Sequence, residues 1–382
     1  MPVYLDNSAT TRPSAQVTAE VARALEEEWY NPSSLYAPAL GVEKRMRACR
    51  EKIAGALCCK EAKVIFTSGG TEANNLALAG TVGVSRAPVR IAVSAVEHPS
   101  VYECAKTLAE AGACETVFIP VLPDGRADAD AIAKELQKGL TLLSVMQVNN
   151  ETGAVNDIPL ISRLRDQLCP SCRLHVDGVQ GFMREEIDFN LIDMYTLSGH
   201  KLHAPTGTGA LVTKRGLRLR PSHIGGGQEE QMRSGTENTP GILGLSRAID
   251  EMLALPDRRA HMARLKMRLS AGLKAAVPAS VINGPRPEEG ACHILNVSFP
   301  GVRGETMLHA LAEKGVYVGN GSACSSRKTK ISRVLSEMHI PARTAECAVR
   351  FSLCPYTSEE DIDTAVREVK QAYEVLVKYQ RR

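Results

Sequence analysis

The chain has 382 residues, with 46 Lys and Arg against 43 Asp and Glu and a formal net charge of +3. That length supports a large core and two domains, and the near-balanced charge argues against a direct nucleic-acid partner. No run of about 18 apolar residues occurs, and Met1 to Asp6 lack a basic stretch leading into an apolar one, so neither a membrane partner nor export is expected and the protein reads as cytoplasmic.

Residues 15–58 read as two helices broken by the turn signal Asn31-Pro32-Ser33-Ser34. Strands and helices then alternate. Apolar runs at 63–67, 89–96, 115–121, 141–148, 173–176, 192–197 and 209–213 read as strands, and helical patterns at 71–82, 100–111, 127–138 and 158–168 lie between several of them. Such alternation predicts an α/β fold with a mostly parallel sheet covered by helices. Near residue 250 the pattern changes. Helical segments at 243–254 and 257–275 lead to short strands near 293–299, 316–318 and 348–353, and then to a helix over 359–378. The expected division is a large domain over 15–255 and a smaller α+β domain built from 1–14 and 256–382. Eleven cysteines are scattered through the chain, and reduced thiols are expected. Cys169 and Cys172 have C-x-x-C spacing but no second pair at zinc spacing, so no metal site is expected.

In open α/β sheets, ligands sit outside the carboxyl ends of the strands. Five strands here run into polar clusters: Ser68-Gly-Gly-Thr-Glu72, Glu97-His-Pro-Ser100, Asn149-Asn-Glu-Thr-Gly153, Asp177-Gly-Val-Gln180 and Ser198-Gly-His-Lys201. Ordinary turns favour Gly, Pro, Asn and Ser, so they account for one such cluster better than for five carrying His98, Asp177, Gln180 and Lys201. A lysine at a strand mouth packs poorly but reacts well once it is desolvated or condensed with an aldehyde. Beside serine, glycine and histidine donors, it points to a phosphate-bearing aldehyde, pyridoxal 5'-phosphate.

The other clusters fit parts of that cofactor. Gly70 and Thr71 open a helix whose N-terminus can hold phosphate. His98 can stack on the ring and move protons. Asp177 can pair with the ring nitrogen, and Asn150 and Gln180 can donate to the phenolic oxygen. Each has a plainer reading: a loop lysine, a glycine turn capped by Thr71, a structural histidine, an Asx turn before Gly178, and loop amides. His200 and His203 stand at a possible metal spacing with no third ligand.

Taken together, the motifs resemble the cysteine desulfurases of the NifS/IscS type, in the class V aminotransferase group. They run in order: Leu5-Asp-Asn-Ser-Ala-Thr-Thr11, Thr67-Ser-Gly-Gly-Thr-Glu-Ala-Asn-Asn75, Glu97-His-Pro99, Val148-Asn-Asn-Glu151, His175-Val-Asp-Gly-Val-Gln180 and Ser198-Gly-His-Lys201, then Gly225-Gly-Gly227, Met232-Arg-Ser-Gly-Thr-Glu-Asn238, Gly321-Ser-Ala-Cys-Ser325 and Val349-Arg-Phe-Ser-Leu353. The resemblance implies a fold-type I homodimer that uses pyridoxal phosphate. Lys201 would carry the cofactor covalently. Thr71, Ser198 and His200 would bind its phosphate, with Thr236 reaching in from the partner subunit. Asp177 would pair the ring nitrogen, Gln180 and Asn150 the phenolic oxygen, and His98 would stack and handle substrate protons.

For the substrate, L-cysteine, the resemblance implies Arg350 as the carboxylate clamp, with Asn7, Ala9, Thr10 and Asn150 nearby. Cys324 would accept sulfur as a persulfide and pass it to an acceptor protein for iron–sulfur clusters, tRNA thiolation or cofactors. Its surroundings agree: Gly319 to Lys330 is polar, glycine-rich and basic, a composition expected of an exposed loop, and Arg327, Lys328 and Lys330 favour thiolate. The chain departs from the family pattern at Tyr36, Ala204, Thr206 and Cys354-Pro355. Selenocysteine lyase activity and a low-turnover cofactor-binding scaffold are the alternatives.

Overall fold

The computed structural model describes residues 2–86, 88–320 and 331–379. After a short strand β1 (Val3–Tyr4) come two helices, α1 (Ala15–Glu27) and α2 (Ala37–Ala56). Ser14 caps α1 by accepting from Val17 N at 3.0 Å. Asn31 turns the chain between the helices, its Oδ1 accepting from Ser33 N at 2.9 Å, as the Asn-Pro-Ser-Ser signal predicts.

The alternating stretch then runs β2 (Lys63–Thr67), α3 (Gly70–Val82), β3 (Arg90–Ser94), α4 (Pro99–Glu110), β4 (Glu115–Ile119), α5 (Ala129–Gln137), β5 (Leu142–Met146), α6 (Ile158–Leu168), β6 (Arg173–Asp177), β7 (Met194–Ser198) and β8 (Gly209–Thr213). Asp128 and Asp157 cap α5 and α6. Strand β7 begins two residues later than the apolar run suggests. Asp188 caps a 3-10 turn over Phe189–Leu191, and Ile192 ends it by donating its N–H to Phe189 O, so the ladder starts later.

These strands form one seven-stranded sheet among the described residues, in the order β2-β8-β7-β6-β5-β3-β4. Only β8 is antiparallel to its neighbours; the pairs β7-β6, β6-β5, β5-β3 and β3-β4 are parallel. The sheet is therefore mostly parallel. Strands β2, β3, β5, β6 and β7 all point the same way, so their five polar ends share one edge.

Every residue of β5, β7 and β8 is buried, as helices on both faces require. Alternate side chains feed two cores: Val64, Phe66, Ala210 and Val212 face one, Ile65 and Leu211 the other.

The remaining elements are α7 (Thr239–Leu253), α8 (Arg258–Ala276), β9 (Val281–Ile282), β10 (Ile294–Ser298), α9 (Gly304–Glu313), β11 (Val316–Tyr317), α10 (Arg333–Glu337), α11 (Ala342–Ala345), β12 (Ala348–Ser352) and α12 (Glu359–Tyr379). Strands β12, β10 and β9 form an antiparallel sheet, and β1 pairs in parallel with β11. Another core gathers Leu265 and Leu269 of α8, Met307 of α9, Val349 and Phe351 of β12, and Ile362 and Val369 of α12. Val3 and Leu5 are buried in it, so the N-terminal segment starts within this second body.

Candidate active site

The turn after β2 is shaped by two glycines. Gly69 has φ 154° and ψ −177°, a conformation open essentially to glycine alone. A Cβ at Gly70 would lie 2.8 Å from Val179 Cγ2 and 3.5 Å from Ser198 Cβ. The pair thus lets the start of α3 press against the turns that follow β6 and β7. Glu72 Oε2 accepts from Ser68 N at 2.8 Å and steadies the turn. Thr71 stands exposed at the first turn of α3, where amide N–H groups lack intrahelical partners and suit an anion.

Asp177 ends β6 and is only 3 % exposed. Its Oδ1 accepts from Val179 N at 3.0 Å and its Oδ2 from Asn74 Nδ2 at 2.8 Å. His98 caps α4, its Nδ1 accepting from Ser100 N at 3.1 Å. Burial pushes the His98 imidazole below its ordinary range despite the Asp177 carboxylate, so the ring is neutral at pH 7. His200 is pushed down to about 4, first by burial and then by Lys201 and His98.

Lys201 closes a 3-10 turn directly after β7. Its Nζ donates to the backbone carbonyls of Ser8 at 2.6 Å and Ala9 at 2.7 Å. Gln180 Nε2 donates to the same Ser8 carbonyl at 3.0 Å. Thr11 Oγ1 donates to His200 O at 2.8 Å and accepts from His203 N at 2.6 Å, and Thr10 Oγ1 lies 3.2 Å from His200 Nδ1. Residues 5–12 therefore form a strap lying across the lysine turn.

The strap's other side is fixed to β12. Ser352 N donates to Leu5 O at 2.7 Å, and Ser8 N donates to Ser352 Oγ at 2.8 Å. Asn7 Nδ2 donates to Tyr4 O at 3.1 Å and Ser352 O at 2.9 Å. Both amide hydrogens of Asn7 are thus committed to backbone, and this side chain acts as a tie within the strap.

Arg350 sits in β12 at 4 % exposure. Its Nη2 donates to Asp6 Oδ1 at 2.6 Å and its Nη1 to Asn150 O at 2.9 Å, while the buried Nε has no partner among the described residues. Gly319 lies on that open edge: a Cβ there would come 2.7 Å from Nη2 and 3.1 Å from Nε. Nε is the guanidinium nitrogen left with a donor to offer a carboxylate.

The expected residues Gly70, Ser198, His200, Lys201, Gln180, Ala9 and Thr10 are thus linked through the strap and the strand-end turns, with Asn150 and Arg350 at its far side. Asp177 and His98 are joined beneath through Asn74 and Ser100. Thr236 is exposed in the loop before α7. Cys324 lies outside the described residues. Asp6, Asn74, Ser100 and Gly319 were not anticipated as site residues, although Asp6 and Asn74 lie inside quoted motifs. Cys169 and Cys172 are buried, and burial pushes the Cys172 thiol up to about 12.

Glu97 is fully buried behind this edge. Its Oε1 accepts from Ser94 Oγ at 2.7 Å and Met146 N at 2.6 Å, and its Oε2 has no partner among the described residues. Burial, reinforced by Asp177, pushes its carboxyl from 4.5 up to about 8. The folded state then binds a proton that the unfolded chain releases at lower pH. The resulting stability is full below pH 4.5 and is lost as pH rises through about 8. Glu97→Gln mimics the protonated form. It should weaken the fall in urea midpoint between pH 5.5 and 8.5, leaving the part due to Glu151, which burial raises to about 7. An unchanged slope would rule Glu97 out as its source.

The family model described as Aminotransferase class-V matches residues 3–365. The chain belongs to the class-V aminotransferase family. It is 36 % identical over 378 residues to a cysteine desulfurase of Trichormus azollae, covering 98 % of this chain and 93 % of that protein. It is 36 % identical over 372 residues to the cysteine desulfurase NifS of Azotobacter vinelandii, covering 96 % and 91 %. Among solved structures, a NifS-like protein superposes with a TM-score of 0.89 at 31 % identity, covering 98 % of this chain and all of that one. The fold is that of the fold-type I enzymes, and the cofactor of the family is pyridoxal phosphate.

The residues present fit that group. The close approach of Gly70 to Val179 and Ser198 sets the N-terminus of α3 beside Ser198, so its first-turn amides and the Ser198 hydroxyl could hold a phosphate together. Asp177 is a buried carboxylate with one protein donor on each oxygen and lone pairs remaining for a ring N–H. Lys201 would hold the aldehyde, and Thr71, Ser198 and His200 the phosphate.

Proposed function

We propose that this protein is a cysteine desulfurase that converts L-cysteine to L-alanine and moves the sulfur onto Cys324 as a persulfide. One observation carries the reading in a chain of this family. The Lys201 amine and the Arg350 guanidinium are both bonded to the strap Asp6–Ala9, so an amine for the cofactor and a fork for an amino-acid carboxylate flank one short segment.

Pyridoxal phosphate, when bound, supplies an electron sink for the substrate Cα. Lys201 anchors it and, once freed, moves the Cα proton. Asp177 keeps the ring nitrogen protonated. Arg350 aligns the substrate carboxylate through its open Nε edge. Neutral His98 offers a proton at the substrate end.

The Cys324 thiolate attacks the substrate sulfur. An S–S bond forms as the C–S bond breaks, and the carbon fragment takes up a proton at Cβ, regains one at Cα from Lys201 and leaves as alanine. The persulfide then passes to a sulfur-acceptor protein. The active form is a homodimer in the cytoplasm, in which the partner subunit's Thr236 completes the phosphate site. Exposure of Thr236, and of Ile224 at 91 %, supports that arrangement.

Incubation of the holoenzyme with L-cysteine and a thiol reductant should give alanine and sulfide in equal amounts. No alanine would overturn the proposal and leave a cofactor-binding scaffold. Much faster turnover of L-selenocysteine than of L-cysteine would instead support the lyase.

A further inference from the structure

We propose that Asn74 is a positioning residue that fixes Asp177 and His98 as one unit behind the cofactor ring; this rests on the reading of Asp177 and His98 given above. Asn74 lies in the second turn of α3 at 1 % exposure, on a helix otherwise packed through Ala73, Leu76, Ala77 and Leu78. A buried amide in such surroundings is costly unless its hydrogens find acceptors. Both do. Nδ2 donates to Asp177 Oδ2 at 2.8 Å and to Ser100 Oγ at 2.8 Å. The amide carbonyl, Oδ1, has no partner among the described residues. A flipped amide would set that carbonyl against the Asp177 carboxylate, so the orientation is forced.

The polarity of the whole network follows. A backbone N–H can only donate, so His98 Nδ1 is the acceptor of the Ser100 N–H and carries no proton. The neutral ring therefore bears its proton on Nε2. Ser100 Oγ already accepts from Asn74, and its own hydrogen goes to His98 Nδ1, 2.8 Å away. Hydrogen bonds thus run from Asn74 to Asp177 on one branch, and from Asn74 through Ser100 to His98 on the other. Asp177 comes from the end of β6 and His98 from the turn after β3. Asn74 is the side chain that bonds to both branches.

The branches separate experimentally. Asn74→Leu keeps the branched shape and removes both donors. In the holoenzyme it should shift the visible absorption band, weaken cofactor binding by about tenfold or more, as loss of a hydrogen bond to a charged group does, and alter the pH profile of kcat. Ser100→Ala cuts only the His98 branch. It should move the pH profile while leaving the absorption band and cofactor affinity as in the wild type.

If Asn74→Leu does not fold, Asn74→Ser, which retains one donor in a smaller side chain, should show the same changes in weaker form. A wild-type band and wild-type cofactor affinity in the folded Asn74 variant would overturn the proposal. Ser100→Ala changing both quantities as much as Asn74→Leu would also overturn it, since the branches would then not be separate. Asp177→Asn is the control for the underlying reading. If it leaves band and affinity unchanged, the assignment of Asp177 fails. If it changes them and Asn74→Leu does not, only the role of Asn74 fails.

Discussion

Lys201→Ala is expected to abolish the yellow colour of the holoenzyme and to lower alanine formation roughly 10²–10⁴-fold, the range for removing a positioned proton-transfer group. The loss should be chemical, not a failure to fold. Lys201 is only half-buried, and the Ser8 and Ala9 carbonyls that it bonds lie in a strap held independently to β12 by Ser352 and Asn7. Circular dichroism and the urea midpoint should stay close to the wild type. Absorbance and an alanine assay then test the assignment. A variant that keeps both colour and turnover would remove Lys201 from the mechanism.

Cys324→Ala should do the opposite to the cofactor and the same to the product: colour and cofactor affinity persist, while alanine and persulfide both disappear. Four of the other cysteines are poor candidates for that role. Burial pushes Cys49 and Cys172 up to about 12 and Cys104 and Cys292 up to about 11. A thiol with a pKa of 11 is ionised in only about one molecule in 10⁴ at pH 7, and the thiolate is the nucleophile.

Cys354, near the clamp in sequence, is also raised by burial, against the opposing hydrogen bond with Thr357. Cys324 instead shares its stretch of chain with Arg327, Lys328 and Lys330. Cys354→Ala should therefore remain active. Alanine formation by Cys324→Ala at a wild-type rate, measured under the same reductant, would show that another thiol or none takes the sulfur.

Much of this was legible in the sequence because the large sheet is built from strongly patterned pieces. The seven apolar runs from 63 to 213 are each bounded by turn residues, and the common direction of the first five follows from the helices between them. That is why five polar clusters could be placed on one edge before any coordinates. The second body was harder. Strands β1 and β9 have two residues each, too few to show a period. Helix α9 is ten residues long and starts at Gly304, a glycine kept by packing, since a Cβ there would lie 2.2 Å from Ala348 O. A glycine at a helix start obscures the helix to a sequence reading.

The ion pair between Arg350 and Asp6 spans 344 residues, and no local pattern reveals which carboxylate meets that guanidinium. The strap itself was visible only as a motif; its position across Lys201 is a tertiary fact. Asn74 did leave a trace. A buried polar residue among Ala73, Leu76, Ala77 and Leu78, on a helix buried around most of its girth, needs buried partners, and one of the two it has is the carboxylate ending β6.

The account comes down to where the sulfur goes. The most direct measurement is a single turnover with one equivalent of L-cysteine and no reductant, followed by mass analysis of the peptide carrying Cys324 and quantitation of alanine. The expected result is one sulfur atom added to Cys324 for each alanine formed, and neither product in Lys201→Ala. Alanine released with Cys324 unmodified, or with the added sulfur on Cys354, would contradict it.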